Sequence, residues 1–261
     1  MCISRTMCRW PVLPALLLWL TAPGAAAASG LPDTIERIKP AVVGVGTVQR
    51  TRQPPARILG TGFVVGGGRH VLTNAHVLPE LVDEANMEFL AVFAGHGHNP
   101  QIRQARRLAV DEDHDVALLE IGGAPLPALR LGDSRAVREG EEYLFTGFPI
   151  GLILGLYPAT HRGMISARTP IVTPAAHGRE LDEVRIQRLR NPYEVFQLDA
   201  TAYPGNSGSP LYHPRSGEVV GIINRVFVKE SKESALTSPS GISYAIPIEH
   251  ARRLMKKAGV E

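Results

Sequence analysis

The chain has 261 residues, with 28 Lys and Arg against 25 Asp and Glu and a formal net charge of +3. So even a balance gives no global electrostatic support to a nucleic-acid partner. The dominance of arginine, 23 Arg to 5 Lys, reads as genome composition rather than a binding surface.

The first residues read as a targeting segment. Arg5 and Arg9 precede an apolar run from Val12 to Ala22, followed by Pro23-Gly24 and the small residues Ala25 to Ser29. A basic stretch, a short apolar stretch and an A-x-A site predict a secretory signal peptide over 1–28, cut near Ala27 or Ala28. The apolar run is too short to span a bilayer comfortably, so no stable membrane insertion is expected after cleavage. Both cysteines, Cys2 and Cys8, lie in this segment, and cleavage would leave a cysteine-free chain of formal charge +1. About 230 residues can hold such a fold by core burial alone. The expected location is outside the cytoplasm, periplasmic or secreted.

Leu31 to Glu36 predicts a short helix, with Asp33 and Glu36 spaced as a capping box. β-branched runs punctuated by glycine follow: Val42 to Val48, Gly62 to Val65, Val71 to Thr73, Phe89 to Phe93 and Val116 to Ile121. A second set lies between Glu142 and Val228, including Glu142 to Thr146, Gly163 to Ala167, Val195 to Asp199 and Val219 to Ile223. Short strands at this spacing predict an all-β barrel or sandwich fold. Pro125 to Gly140 reads as the crossover between the two halves. Ile248, Ala251 and Leu254-Met255 fall at helical spacing and predict a C-terminal helix over 247–258, closed by Gly259.

The chemistry concentrates in Pro204-Gly205-Asn206-Ser207-Gly208-Ser209-Pro210. Glycines on both sides let the backbone turn tightly and project the Ser207 hydroxyl. The same turn leaves the amides of Gly205 and Ser207 able to converge on one point, as an oxyanion requires. A serine is a poor nucleophile until a base takes its proton, and the base needs an orienting carboxylate. His76, in Thr73-Asn74-Ala75-His76, sits at a strand end and is the candidate base. Asp115 leads the apolar run Val116 to Ile121 and is the candidate carboxylate, while Asp111, Glu112 and Asp113 read as a solvated loop. His96, His98, His114, His161, His177, His213 and His250 lack comparable context and are read as without chemistry.

Other motifs fail on chemical grounds. The acidic run from Asp111 has Val116 where a calcium loop needs glycine and Gly122 where it needs glutamate. His96-Gly97-His98 has no Cys or matching carboxylate spacing to complete a zinc site. Gly60-Thr61-Gly62 opens no helix, so it is no dinucleotide fingerprint. No metal and no cofactor are expected.

Taken in order, Gly60 to Val65, His70 to Val77, Asp115 to Leu119, Gly147 to Gly151, Gly163 to Ala167, Gly205 to Pro210 and Gly241 to Pro247 resemble the protease domain of the HtrA/Deg family of exported trypsin-like serine peptidases. The order His, Asp, Ser is also the chymotrypsin order. The resemblance covers nearly the whole chain after the leader. It implies a protease domain over 29–261: two six-stranded antiparallel β-barrels, at about 40–125 and 140–235, then the C-terminal helix, with the site in the cleft between barrels. It implies His76 as base, Asp115 as its orienter, Ser207 as nucleophile, and Gly205 and Ser207 as oxyanion donors. Thr201, Ala202 and Tyr203, facing Gly221, Ile222 and Ile223, would wall the pocket for the residue before the scissile bond. None of the six is charged, which favours small to medium apolar side chains, with Arg225 the neighbour most able to change that preference.

Departures from the family pattern carry expectations too. Ser209 stands where many members have a second glycine, and the chain stops soon after the helix, where the family usually continues into PDZ domains. Asn206 replaces the aspartate with which digestive relatives trap a new N-terminus, so activation by propeptide cleavage is not expected. Arg168 to Glu194 is longer than the usual loop and reads as an inert surface segment or as one that orders the oxyanion turn. The resemblance implies polypeptide substrates, unfolded proteins among them, and an acyl-enzyme endopeptidase. The rival is a binding or chaperone-like module on the same fold with a resting or collapsed site; an esterase is a third reading.

Overall fold

The computed structural model describes residues 30–149, 155–170, 192–224 and 241–260. The leader, Ile150-Gly151, Arg225, and residues 171–191 and 225–240 lie outside the described residues, and with them most of the 168–194 insertion.

Six strands precede the crossover: β1 (Val42–Gln49), β2 (Ala56–Val65), β3 (His70–Thr73), β4 (Glu88–Ala94), β5 (Gln101–Asp111) and β6 (Val116–Ile121). Six follow it: β7 (Glu142–Gly147), β8 (Ala159–Pro170), β9 (Glu194–Leu198), β10 (Pro210–Tyr212), β11 (Val219–Asn224) and β12 (Ser243–Pro247). Each set closes into an antiparallel barrel, ordered β1-β2-β3-β6-β5-β4 and β7-β8-β9-β12-β11-β10. The two barrels therefore share one winding. Closure leaves no unpaired sheet edge, which a chain of short strands otherwise exposes to aggregation.

Alternation along the strands supplies the interior. Val45, Phe63, Leu72, Val92 and Leu118 are buried in the first half; Phe145, Ile165, Phe196, Leu211 and Ile223 fill the second. Each such side chain contributes about 1.5–3 kcal/mol by leaving water. The first cluster continues through Tyr212, Ile222, Ile246 and Ile248, so apolar packing spans both halves.

Two elements depart from the sequence pattern. β5 is eleven residues long although Arg103, Gln104, Arg106 and Arg107 make it read as polar. It forms because β4 and β6 satisfy its backbone on both sides, while its arginine heads reach outward: Arg106 meets Glu120 and Arg107 donates to the Pro79 carbonyl at 2.7 Å. Helix α1 (Leu31–Ile38) starts one turn earlier than the expected cap. Gly30 is the N-cap, and Asp33 is an inner residue whose carboxylate accepts from the Gly30 amide at 2.8 Å. Glycine has no side chain to reciprocate, so this is half of a capping box.

The C-terminal helix α2 (Ile248–Lys257) buries Ile248, His250, Ala251, Leu254 and Met255, as its spacing predicts apart from the histidine. It leaves the second barrel from β12 and packs back against β5 and β6 of the first, bringing His250 to the loop before β6. Arg252 caps the Leu131 and Gly132 carbonyls of the crossover at 2.7 and 3.0 Å.

Candidate active site

The first barrel presents a histidine and a carboxylate from adjacent strand ends. β3 stops at Thr73, and His76 follows in a single 3₁₀ turn, Ala75–Val77. Asp115 closes the turn before β6, with its amide donating to the Glu112 carbonyl at 3.3 Å. Its φ is +54°, a left-handed conformation that Asp tolerates better than most residues at about 1–2 kcal/mol. That conformation is over-determined by contacts. Asp115 Oδ1 accepts from the His76 amide at 2.9 Å, and Oδ2 meets His76 Nδ1 at 2.7 Å. The Asp115 carbonyl accepts from Asn74 Nδ2 at 3.0 Å, and Asn224 Nδ2 donates to Oδ2 from the second barrel. The Asp115 side chain is 8% exposed and that of His76 is 31% exposed, so a buried carboxylate holds a partly exposed ring.

The second barrel presents the serine. Tyr203-Pro204-Gly205-Asn206 is a tight turn in which the Asn206 amide donates to the Tyr203 carbonyl at 3.0 Å. Pro204 pre-sets the second position, and Gly205 at φ +98° supplies the positive φ that a type II turn demands at its third. The amides of Gly208 and Ser209 donate to the carbonyls of Ile223 and Asn206 at 2.9 and 3.0 Å. Among the described residues the amides of Gly205 and Ser207 have no acceptor. The Ser207 side chain has little exposed surface, and its Oγ is not hydrogen-bonded to His76. Bonds of that kind often tighten only once substrate packs over them.

Of the expected pocket walls, the structure brings one to the surface. Thr201, Ala202 and Tyr203 are half-buried immediately before the turn. Ile222 and Ile223 lie instead in closed core. Successive residues of β11 face opposite sides, and both sides are covered: Ile222 faces the cluster shared with α2, Ile223 the interior of the second barrel. Neither side chain retains exposed surface, and the side of Gly221 that a Cβ would occupy faces Ala245 and the Ile246 carbonyl. Arg225 lies outside the described residues.

Several residues enter the site that the sequence did not single out. Asn74 stands inside the segment that identified His76, which is the signal that could have found it. Asn224 carries no local signal; only the barrel closure takes the end of β11 to Asp115. Thr61, fully buried on β2, donates its amide to the Ser207 carbonyl at 2.8 Å and its hydroxyl to the Gly205 carbonyl at 2.7 Å. Asp111 is not a solvated acid: its carboxylate contacts His114 Nδ1 at 2.8 Å. Burial would raise its pKa, but the side-chain and backbone hydrogen bonds from His114 outweigh that and hold it below the ordinary value. The His114 ring packs against His250 at a tilt of 40°, centroids 4.0 Å apart, and Tyr193 sits against both. Burial foremost, then the charges of His114 and Arg253, pushes His250 down from 6.5 to about 3.

Two equal-winding antiparallel barrels with a His–Asp pair on one and a serine turn on the other define the chymotrypsin-like class of fold. Residues 60–222 match the family described as Trypsin-like peptidase domain, and the chain belongs to that family. Its relatives are HtrA and DegP-like proteins. A "Probable periplasmic serine endoprotease DegP-like" of Pseudomonas putida is 33% identical over 77% of this chain and 35% of its own length. Another of that description, from Ectopseudomonas mendocina, is 29% identical over 95% of this chain and 53% of its own length. "Serine protease HTRA1" of Xenopus laevis is 33% identical over 87% of this chain and 43% of its own. A solved HtrA-type protease, AlgW with a tripeptide, superposes with a TM-score of 0.61 at 25% identity, covering 87% of this chain and 63% of that one. The chain thus spans about a third to a half of these curated relatives.

Proposed function

We propose that this protein is a serine endopeptidase that cleaves polypeptides through an acyl-enzyme. Ser207 Oγ attacks the scissile carbonyl while His76 takes its proton, and the His76 Nδ1–H to Asp115 bond stabilises the imidazolium that forms. The amides of Gly205 and Ser207 receive the oxyanion. Proton return from His76 to the leaving amine frees the new N-terminus, and water then resolves the ester by the same route. Thr201, Ala202 and Tyr203 wall the pocket for the residue before the cleaved bond and favour apolar side chains. The relatives' names and the leader pattern support export to the periplasm or beyond.

The observation that carries this reading is the pairing of a His76–Asp115 hydrogen bond with a serine turn whose two relevant amides meet no acceptor among the described residues. A second reading, a binding module whose site rests inactive, draws on one fact, the missing bond between Ser207 and His76. Labelling with a fluorophosphonate, alongside turnover of peptide and ester substrates, separates the two. An active enzyme labels on Ser207 and turns over peptides. A protein that binds polypeptides yet neither labels nor hydrolyses is the resting module.

A further inference from the structure

Thr61 stands apart among the buried polar residues because its contacts converge on one turn. It lies on β2 of the first barrel with no exposed surface. Its hydroxyl donates to the Gly205 carbonyl at 2.7 Å and accepts from the Phe148 amide, beyond the end of β7, at 3.0 Å. Its own amide donates to the Ser207 carbonyl at 2.8 Å, and its carbonyl accepts from Thr73 Oγ1 at 2.7 Å. One residue of the first barrel therefore holds the carbonyls of Gly205 and Ser207, two residues whose amides have no acceptor among the described residues. The amide bond to Ser207 is available to any residue but proline, whereas the bond to Gly205 requires the hydroxyl.

We propose that Thr61 is a positioning residue for the oxyanion hole: its hydroxyl fixes the Gly205–Asn206 peptide through the Gly205 carbonyl, and so restrains the Gly205 backbone torsions on which the direction of the adjoining Gly205 amide depends. This rests on the reading of Gly205 as an oxyanion donor. The peptide between Gly205 and Asn206 is tied at both ends, its oxygen by Thr61 and its N–H by the Tyr203 carbonyl. Gly205 at φ +98° has no side chain to resist rotation, so the turn depends on such ties to keep one orientation. Without the hydroxyl, the part-buried Gly205 carbonyl loses its donor, and the turn relaxes about Gly205 to find it another partner; the adjoining Pro204–Gly205 peptide, which carries the Gly205 amide, shifts with that relaxation. The Phe148 bond fixes the hydroxyl proton's direction: the oxygen accepts from Phe148, leaving its hydrogen for Gly205.

The test compares the wild type with Thr61→Val, which exchanges the hydroxyl for a methyl of similar size, and Thr61→Ser, which keeps it. Each is measured for kcat and KM on a peptide substrate, for inhibition by a peptide aldehyde whose hemiacetal oxygen enters the hole, and for melting temperature. Rates are taken per site titrated with fluorophosphonate. In Thr61→Val we expect kcat to fall about ten- to a hundredfold with KM changed less than about threefold, and aldehyde affinity to fall in step with kcat. Thr61→Ser should recover most of the rate. If Thr61→Val does not fold, Thr61→Ala takes its place in the same comparison. Wild-type kcat per titrated site in the hydroxyl-free variant overturns the proposal, as does a lowered kcat with undiminished aldehyde affinity. Ser207→Ala is the control that separates the two layers. Undiminished hydrolysis there overturns the site itself, whereas an inactive Ser207→Ala beside an unaffected Thr61→Val overturns only the role of Thr61.

Discussion

Asn224, at the end of β11 in the second barrel, donates its side-chain amide to Asp115 Oδ2, the same oxygen that meets His76 Nδ1 from the first barrel. The carboxylate is therefore held from both halves, and the His76 ring is oriented against an acceptor that neither barrel fixes alone. Asn224→Ala should cost about 1–3 kcal/mol of stability, since a buried carboxylate loses a donor. On the proposed mechanism kcat/KM should fall roughly ten- to a hundredfold as the His76–Asp115 geometry loosens. Denaturant unfolding and steady-state kinetics on one preparation measure both; unchanged kinetics would mean the second barrel contributes nothing to the pair.

Asp115→Asn tests the orienting role more sharply. The shape is kept, but an amide cannot stabilise the imidazolium, and it presents the ring with a donor or a weaker acceptor. A loss of about 10³–10⁴ in kcat is expected with little change in KM. A variant within tenfold of wild type would remove Asp115 from the mechanism.

Gly208 should be irreplaceable for a structural reason. At φ +88°, a Cβ built there would stand 1.9 Å from the Thr61 carbonyl oxygen and 2.5 Å from Thr73 Oγ1, both buried. Gly208→Ala combines left-handed strain with overpacking, so a loss of more than about 3 kcal/mol is expected. Thermal denaturation that finds a normal melting temperature would contradict this placement of the turn against β2.

His250 predicts an acid limit to stability. Its pKa is lowered on folding from 6.5 to about 3, chiefly by burial and then by His114 and Arg253, with Asp111 opposing. Between those values the unfolded chain binds more protons than the folded one, so this residue's contribution falls as pH falls. The deficit reaches about 2 kcal/mol at pH 5 and is absent above about pH 7. Urea titrations at pH 5 and 7 on wild type and His250→Gln check the sign: the variant should lose less on acidification. An equal loss in both would assign the acid sensitivity to other groups.

On the proposed reading, specificity follows from an uncharged pocket wall. Thr201, Ala202 and Tyr203 offer no counter-charge, so an ionised side chain entering there would be desolvated without a partner at several kcal/mol. Apolar side chains gain about 0.8 kcal/mol per buried CH₂. A peptide library should therefore show cleavage after Ala, Val, Leu and Ile; dominant cleavage after Lys, Arg or Glu would show that another residue reaches the pocket.

Most strands, the C-terminal helix and the His76, Asp115 and Ser207 segments were legible in the sequence. Those segments follow local rules: a short continuous apolar run for Val116 to Ile121, 3.6-residue spacing for Ile248 to Met255, and turn chemistry for Pro204 to Gly208. β5 was not legible, because its arginines hide a backbone pairing that only β4 and β6 supply. Nor was the burial of Ile222 and Ile223. An apolar pair on a strand reads alike whether one face meets a cleft or both meet core, and closure of the second barrel with α2 beneath it decided for core. The helix cap fell on Gly30 rather than Asp33, because a carboxylate three residues into a helix can accept from the N-cap amide, so an acid near a helix start fits either position. By itself, then, the sequence determined the local elements and the residue types able to do this chemistry. The tertiary structure alone decided that Thr61 meets the Gly205 carbonyl 144 residues later in the chain, and that Asn224 meets the Asp115 carboxylate 109 residues earlier. Such contacts depend on how two closed barrels and a returning helix pack, which no local pattern encodes.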